Sequence, residues 1–127
     1  MAICPVFGVH LTAQEKAAVQ SAEKWLSLVD RGEYAQSWQE ATALFKKAVS
    51  EKQWVKTLHA VRQPLGKAVS RNVMAKSFHK SLPGAPDGEY VVIQFNTSFA
   101  NKKKAVETVT VMLDKDGAWR AAGYYIK

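Results

Sequence analysis

The feature that most limits the fold is a change of hydrophobic rhythm at Gly66. Before it, apolar residues recur every three or four positions; after it, they recur every second position. In LTAQEKAAVQSAEKWLSLVDRG, Ala18, Ala22, Trp25, Leu26 and Val29 form one helical stripe. Thr12 followed by Glu15 fits a capping box, in which each side chain satisfies a free backbone donor of the first turn. Gly32 suits the left-handed residue that ends a helix. The spacing predicts a helix over 13–30. Tyr34, Trp38, Ala41, Phe45, Ala48 and Val49 share a second face, on one helix or two short ones. Ser50 with Gln53 makes a further capping box. Trp54, Val55, Leu58, Val61 and Leu65 are then the inward stripe of the next helix, which Pro64 and Gly66 close.

Past Gly66 the pattern is that of strands. Residues 68–80 suit a strand but alternate poorly, which predicts a long strand with a bulge near Val73–Met74. The turn-forming run SLPGAPDG separates it from EYVVIQFNTSF, where Val91, Ile93, Phe95 and Phe99 alternate with polar residues. VETVTVML repeats the pattern, and Asp116–Gly117 is a hairpin turn leading into WRAAGYYI. The register of this last strand has two solutions. Either Ala122, Tyr124 and Ile126 join the core face, or Trp119, Ala121 and Tyr125 do, because a one-residue slip inverts every side chain. Helices followed by a strand meander predict a segregated α+β domain. Three helices, four if the second segment divides, should cover one face of a four-stranded antiparallel sheet. The domain should occupy residues 12–127, behind an extension over 1–11.

Composition supports one core and narrows the classes of function. A chain of 127 residues buries roughly two-thirds of its unfolded surface, enough for one core without disulfides or metal. Cys4 is the lone cysteine, so no internal disulfide forms. No apolar run approaches the roughly 18 residues that cross a bilayer. The start, MAICPVFGVH, lacks the basic stretch and apolar run of an intact secretory signal. That leaves a cytoplasmic protein or one whose signal has been removed, and too few residues precede Cys4 to make it a lipid-anchoring site. The net charge is +7, and the sheet half is the more basic half, which favours an anionic partner or surface, or serves solubility alone.

The segments WLSLVDRGEYAQSW, RQPLG, LPGAPDGEYVVIQF and DKDGAWRAAGYYI, in that order, resemble a family of small bacterial proteins known as domain of unknown function 4019. The resemblance covers roughly residues 15–127. It offers no catalytic residues to carry over, and it implies export, to the periplasm or beyond the cell. The order of elements is also similar to the cystatin-like and nuclear-transport-factor-two-like folds, whose helices cover a curved sheet. Such folds host enzymes, ligand binders and adaptors alike.

Three sets of residues are candidates for function. Trp38, Trp54, His59 and Arg62 would line a small-ligand pocket if the helices border a cavity, with His59 as acid–base group and Arg62 binding an anion. The competing reading is a helix edge with its polar heads in water, which the absence of a nearby Ser, Cys or paired acid favours. Lys102, Lys103 and Lys104 form a basic tip between two strands. With Arg71, Lys76 and Lys80 they would make a patch for nucleic acid or anionic lipid, against the competing and favoured reading that lysines at a hairpin tip protect the sheet edges from pairing. Tyr90 and one of Tyr124 or Tyr125 would add exposed rings on the open sheet face. Glu89 and Glu107 fall on the apolar side of their strands, too far apart to act as a pair, and are expected to be strand-end charges facing solvent or a lysine. Asp114, Asp116 and Gly117 echo a calcium loop without its remaining ligands, and a hairpin turn accounts for them. No catalytic set, metal site or cofactor motif is expected. The four tryptophans are expected to be core anchors. The resulting expectation is a non-catalytic binding or interaction domain of the bacterial cell envelope, with a protein or small ligand as partner. A pocket protein or enzyme, and lysine-mediated binding of nucleic acid or anionic surfaces, are the alternatives.

Overall fold

The computed structural model describes the backbone from Cys4 to Lys127 and the side chains from Ala13 onward. Four helices precede four strands: α1 (Cys4–Asp30), α2 (Tyr34–Gln39), α3 (Ala43–Ala48), α4 (Glu51–Leu65), β1 (Ala68–His79), β2 (Tyr90–Phe99), β3 (Lys102–Leu113) and β4 (Trp119–Ile126). The first helix starts at Cys4, so Thr12 lies within it, and the expected Thr12 cap falls on a side chain outside those described.

The second helical segment divides. Its apolar spacing runs on unbroken, but Thr42 is held by two partners at once. Its hydroxyl accepts from Phe45 N at 3.1 Å, capping α3, and its own N–H donates to the Ala121 carbonyl of β4 at 2.9 Å. The break therefore falls where the helical layer is bonded to the sheet. Ser50 caps α4 as expected, accepting from Gln53 N at 3.2 Å. Gly66, at φ 77, ends that helix and leads directly into β1. The buried stripe of α4 runs Trp54, Leu58, Arg62; Val61 is instead 41% exposed, which corrects the expected inward set. Four-residue steps carry the stripe onto the arginine.

The strands form one antiparallel meander in the order β1-β2-β3-β4. Val73 pairs with Phe95 and Ala75 with Gln94, so Met74 is the extra residue, where the poor alternation placed a bulge. A second irregularity in β1 falls between Ala68 and Ser70. In β4, Ala121 pairs with Val111 but Gly123 with Thr110, leaving Ala122 as a bulge. Both register solutions are therefore realised, one at each end of the strand. Trp119 and Ala121 face the helices near the turn; beyond the bulge Tyr124 and Ile126 do, and Tyr125 is turned out and 57% exposed.

The core lies between layers. Val91, Ile93, Phe95, Val109 and Val111 of the sheet pack on Ala18, Ala22, Leu26 and Val29 of α1 and on Trp54 and Leu58 of α4. Fully burying one large apolar side chain contributes about 1.5–3 kcal/mol, so this sandwich supplies most of the driving force for docking the helices. The opposite face carries Ser70, Asn72, Gln94, Asn96, Ser98 and Thr110. Tyr90, Val92, Val106 and Met112 lie on it too, and among the described residues no helix covers it.

Candidate functional site

At one end of the core the apolar packing gives way to a chain of charges. Glu107 stands opposite Phe95 on β3, and its side chain is completely buried. One carboxylate oxygen accepts from Arg71 Nε and Thr97 Oγ1, each at 2.6 Å; the other accepts from the Tyr124 hydroxyl at 2.5 Å. Arg71 directs its remaining nitrogens to Asp30 at the end of α1, at 2.8 and 3.0 Å. Arg62 of α4 donates to the same carboxylate at 2.9 Å and lies 4.9 Å above the Phe99 ring. Two cations and two anions thus alternate across α4, α1, β1 and β3, and their formal charges cancel. The expectation that Glu107 faces solvent or a lysine is corrected. Strand alternation did bring it beside Thr97, but an arginine from β1 makes its full burial tolerable.

The electrostatics fix the protonation states. Burial pushes the Asp30 carboxyl up, but the hydrogen bonds and charges of Arg71 and then Arg62 outweigh it and hold the group below its ordinary 3.8. Burial disfavours the Arg71 cation, yet its bonds to Asp30 and Glu107 keep it firmly protonated. Burial, then the charge of Glu107 and the bond to it, raise the Tyr124 phenol well above its ordinary value. A carboxylate already accepting three donors is a poor general base, and a phenol held protonated is a poor nucleophile. The arrangement ties layers together. Among the described residues Arg62 Nε and Nη1 are buried without a hydrogen-bond partner, and the Phe99 face partly compensates that cation.

The proposed ligand set of Trp38, Trp54, His59 and Arg62 is not brought together around a cavity. Trp38 Nε1 donates to the Val49 carbonyl at 2.8 Å, and Trp54 Nε1 to Ser37 Oγ at 3.0 Å. Trp25 Nε1 reaches the Ser37 carbonyl at 2.8 Å. The rings of Phe45, Trp54, Trp25 and Tyr124 contact one another in sequence, filling the volume a pocket would need. His59 is exposed, with its ring edge-on to Tyr34. Arg62 is 5% exposed, so its head is not in water as the helix-edge reading expected. Asp114 and Asp116 are both engaged by Arg120 in the β3–β4 hairpin, and Gly117 takes φ 87 at the turn.

The open face differs from expectation in its aromatics. Tyr90 lies on that side of β2 but is only 1% exposed, because the β1–β2 loop folds over it and the Pro86 carbonyl accepts from its hydroxyl at 2.6 Å. Tyr124 faces the helices. Neither ring is available for stacking there, and Arg71 is turned inward. The lysines fare differently. Thr97 pairs with Ala105 and Phe99 with Lys102, so Lys103 and Lys104 together oppose the single residue Ser98. This bulge sets both lysines beside a shallow cleft of about 440 Å³ on the open face, which Ser70, Asn72, Asn96, Ser98 and Lys127 also line. Lys102 pairs at the start of β3 and is not part of that lining.

Over residues 21–124 the sequence matches the family described as "Protein of unknown function (DUF4019)". The chain belongs to that family. Asp30, Arg62, Arg71, Thr97, Glu107 and Tyr124 all fall within the DUF4019 span, so the charge chain is built wholly from the domain. No curated protein matches. A solved structure from Catenulispora acidiphila, at 2.5 Å, covers 93% of this chain and is itself covered to 93%, with 10% identity and a TM-score of 0.60. At that identity the likeness concerns the fold alone.

One signal in the DUF4019 sequence could have revealed the charge chain. Arg71, Thr97 and Glu107 all occupy helix-facing positions of adjoining strands, and three polar residues on one buried side must satisfy one another. Asp30 and Arg62 carried no such signal, since each sits at a helix end where a charge is ordinary.

Proposed function

We propose that this DUF4019 protein is a non-catalytic binding module of the bacterial cell envelope, and that the open sheet face at its β2–β3 end binds an anionic partner. The observation that carries the reading is the bulge that aims Lys103 and Lys104 beside a cleft of serine and asparagine side chains. Amides and hydroxyls supply neutral hydrogen bonds, while the lysines supply attraction that draws an anion to this face. With Tyr90 covered, Tyr125 is the one exposed ring on this face among the described residues, which favours a partner held by charge over one read by stacking of successive bases. The non-catalytic part rests on the saturation of Glu107, Asp30 and Tyr124 by internal partners. The envelope placement rests on the export that the family resemblance implies.

Retention on a dextran-sulfate column tests the surface. The protein should bind at low salt and elute as salt rises. Lys103→Glu with Lys104→Glu should elute at clearly lower salt, whereas Lys46→Glu with Lys47→Glu on α3, an equal change of charge, should move elution far less. Equal shifts for the two pairs would make the effect one of net charge and overturn the assignment. Fractionation of cells expressing the native gene tests the compartment, and recovery of the protein in the cytoplasmic fraction would overturn it.

A further inference from the structure

We infer that the groove between the helical layer and the β3–β4 hairpin is a second binding site, for a neutral saccharide, with Trp119 as its stacking plate. The groove holds about 510 Å³. Pockets for small ligands run from roughly 300 to 1,000 Å³. Lys24 of α1, Gln39 and Glu40 at the end of α2, and Trp119 and Arg120 of β4 line it.

The indole nitrogens set Trp119 apart. Trp25, Trp38 and Trp54 each donate to an oxygen of the protein. Trp119 has no such acceptor among the described residues, and its ring is only partly covered, lying at the margin of the core and in the wall of the groove. An indole offers a broad apolar face and one donor, and burial without a partner for that donor is costly. Leaving it at the mouth of a groove suits a ligand that presents an apolar face and an acceptor together.

The charges narrow the class. Lys24 and Glu40 are of opposite sign, and Arg120 is already engaged by Asp114 and Asp116 at 2.8 Å. The groove therefore selects neither an anion nor a cation. Gln39 is exposed and offers both donor and acceptor, and Glu40 keeps one oxygen beyond its bond to Gln36. A pyranose ring meets all of these demands: its C–H face lies on the indole, and its rim of hydroxyls serves as donor and acceptor to the amide, the carboxylate and the ammonium. The site lies on the helix side of the sheet and shares no lining residue with the lysine cleft, so either assignment can fail without the other.

Heteronuclear NMR of the whole chain with maltotriose, and separately with chitotriose, tests the site. At least one trisaccharide should move the Trp119 indole resonance while those of Trp38 and Trp54, which do not line the groove, stay in place. Gln39→Ala, at an exposed position where folding is not at stake, should weaken that binding about fivefold, the loss expected for one hydrogen bond. The Lys103→Glu, Lys104→Glu protein should bind as the wild type does. No movement of the Trp119 resonance with either sugar overturns the inference, as does an affinity unchanged by Gln39→Ala.

Discussion

Two adjacent tyrosines show how sharply position divides identical side chains. Tyr124 donates to a buried carboxylate and packs edge-on to Trp25; Tyr125 stands on the open face. Tyr124→Phe removes one of three donors to Glu107 and should cost about 1–3 kcal/mol in urea denaturation. Tyr125→Phe should stay within about 0.5 kcal/mol of the wild type. The two should also part in alkali. The folded pKa of Tyr124 lies above the ordinary 10.0, so the unfolded chain releases that proton first as pH rises past 10. Stability is then lost with rising pH in the wild type and in Tyr125→Phe, and lost less in Tyr124→Phe. From sequence, one of the pair had to face the helices, but which one depended on a bulge that no side chain announces.

That bulge belongs to the scale of elements. The bulge residue Ala122 and its neighbours Ala121 and Gly123 are small enough for either side of a sheet, so the sequence around it reads equally well in two registers. Met74 was legible because the residues around it alternate badly when paired without an extra position. Deleting Ala122 removes the extra residue and leaves Ala121 opposite Val111, Gly123 opposite Thr110 and Tyr124 opposite Val109, so Trp119, Ala121, Tyr124 and Ile126 all keep the core face. The shortened chain should therefore keep a cooperative thermal transition by circular dichroism, and loss of that transition would show that the strand needs the bend of the bulge as well as its register. Among the helices, the stripe of α1 and the Ser50 cap were legible, because local spacing and capping chemistry decide them. The division of α2 from α3 was not, since a backbone bond to β4, 79 residues further along from Thr42 to Ala121, helps to decide it.

For the whole molecule, the change of period at Gly66 was sufficient to give helices over a meander of strands, and charge pairing over long sequence distances was what it could not give. Asp30, Arg62, Arg71 and Glu107 meet only when α1, α4, β1 and β3 are brought together. Their mutual dependence makes acid a probe of the docked state. With its folded pKa held below 3.8, Asp30 contributes stability that is fully present above that value and is lost as pH falls through the lower, folded one. Asp30→Asn should therefore be less stable than the wild type at neutral pH, with the difference closing as pH drops below 3.8 in acid titrations followed by tryptophan fluorescence.

The irregular path of β1 has a further consequence. This strand of twelve residues forms one border of the sheet, with its outer backbone unpaired among the described residues and with Val69, Val73 and Met74 exposed along it. Straight and apolar, such a border would be a template on which other chains could add and grow into fibrils. Interrupted twice, and carrying Lys76 with Lys67 and Lys80 at its ends, it offers no long straight stretch for another molecule to zip onto.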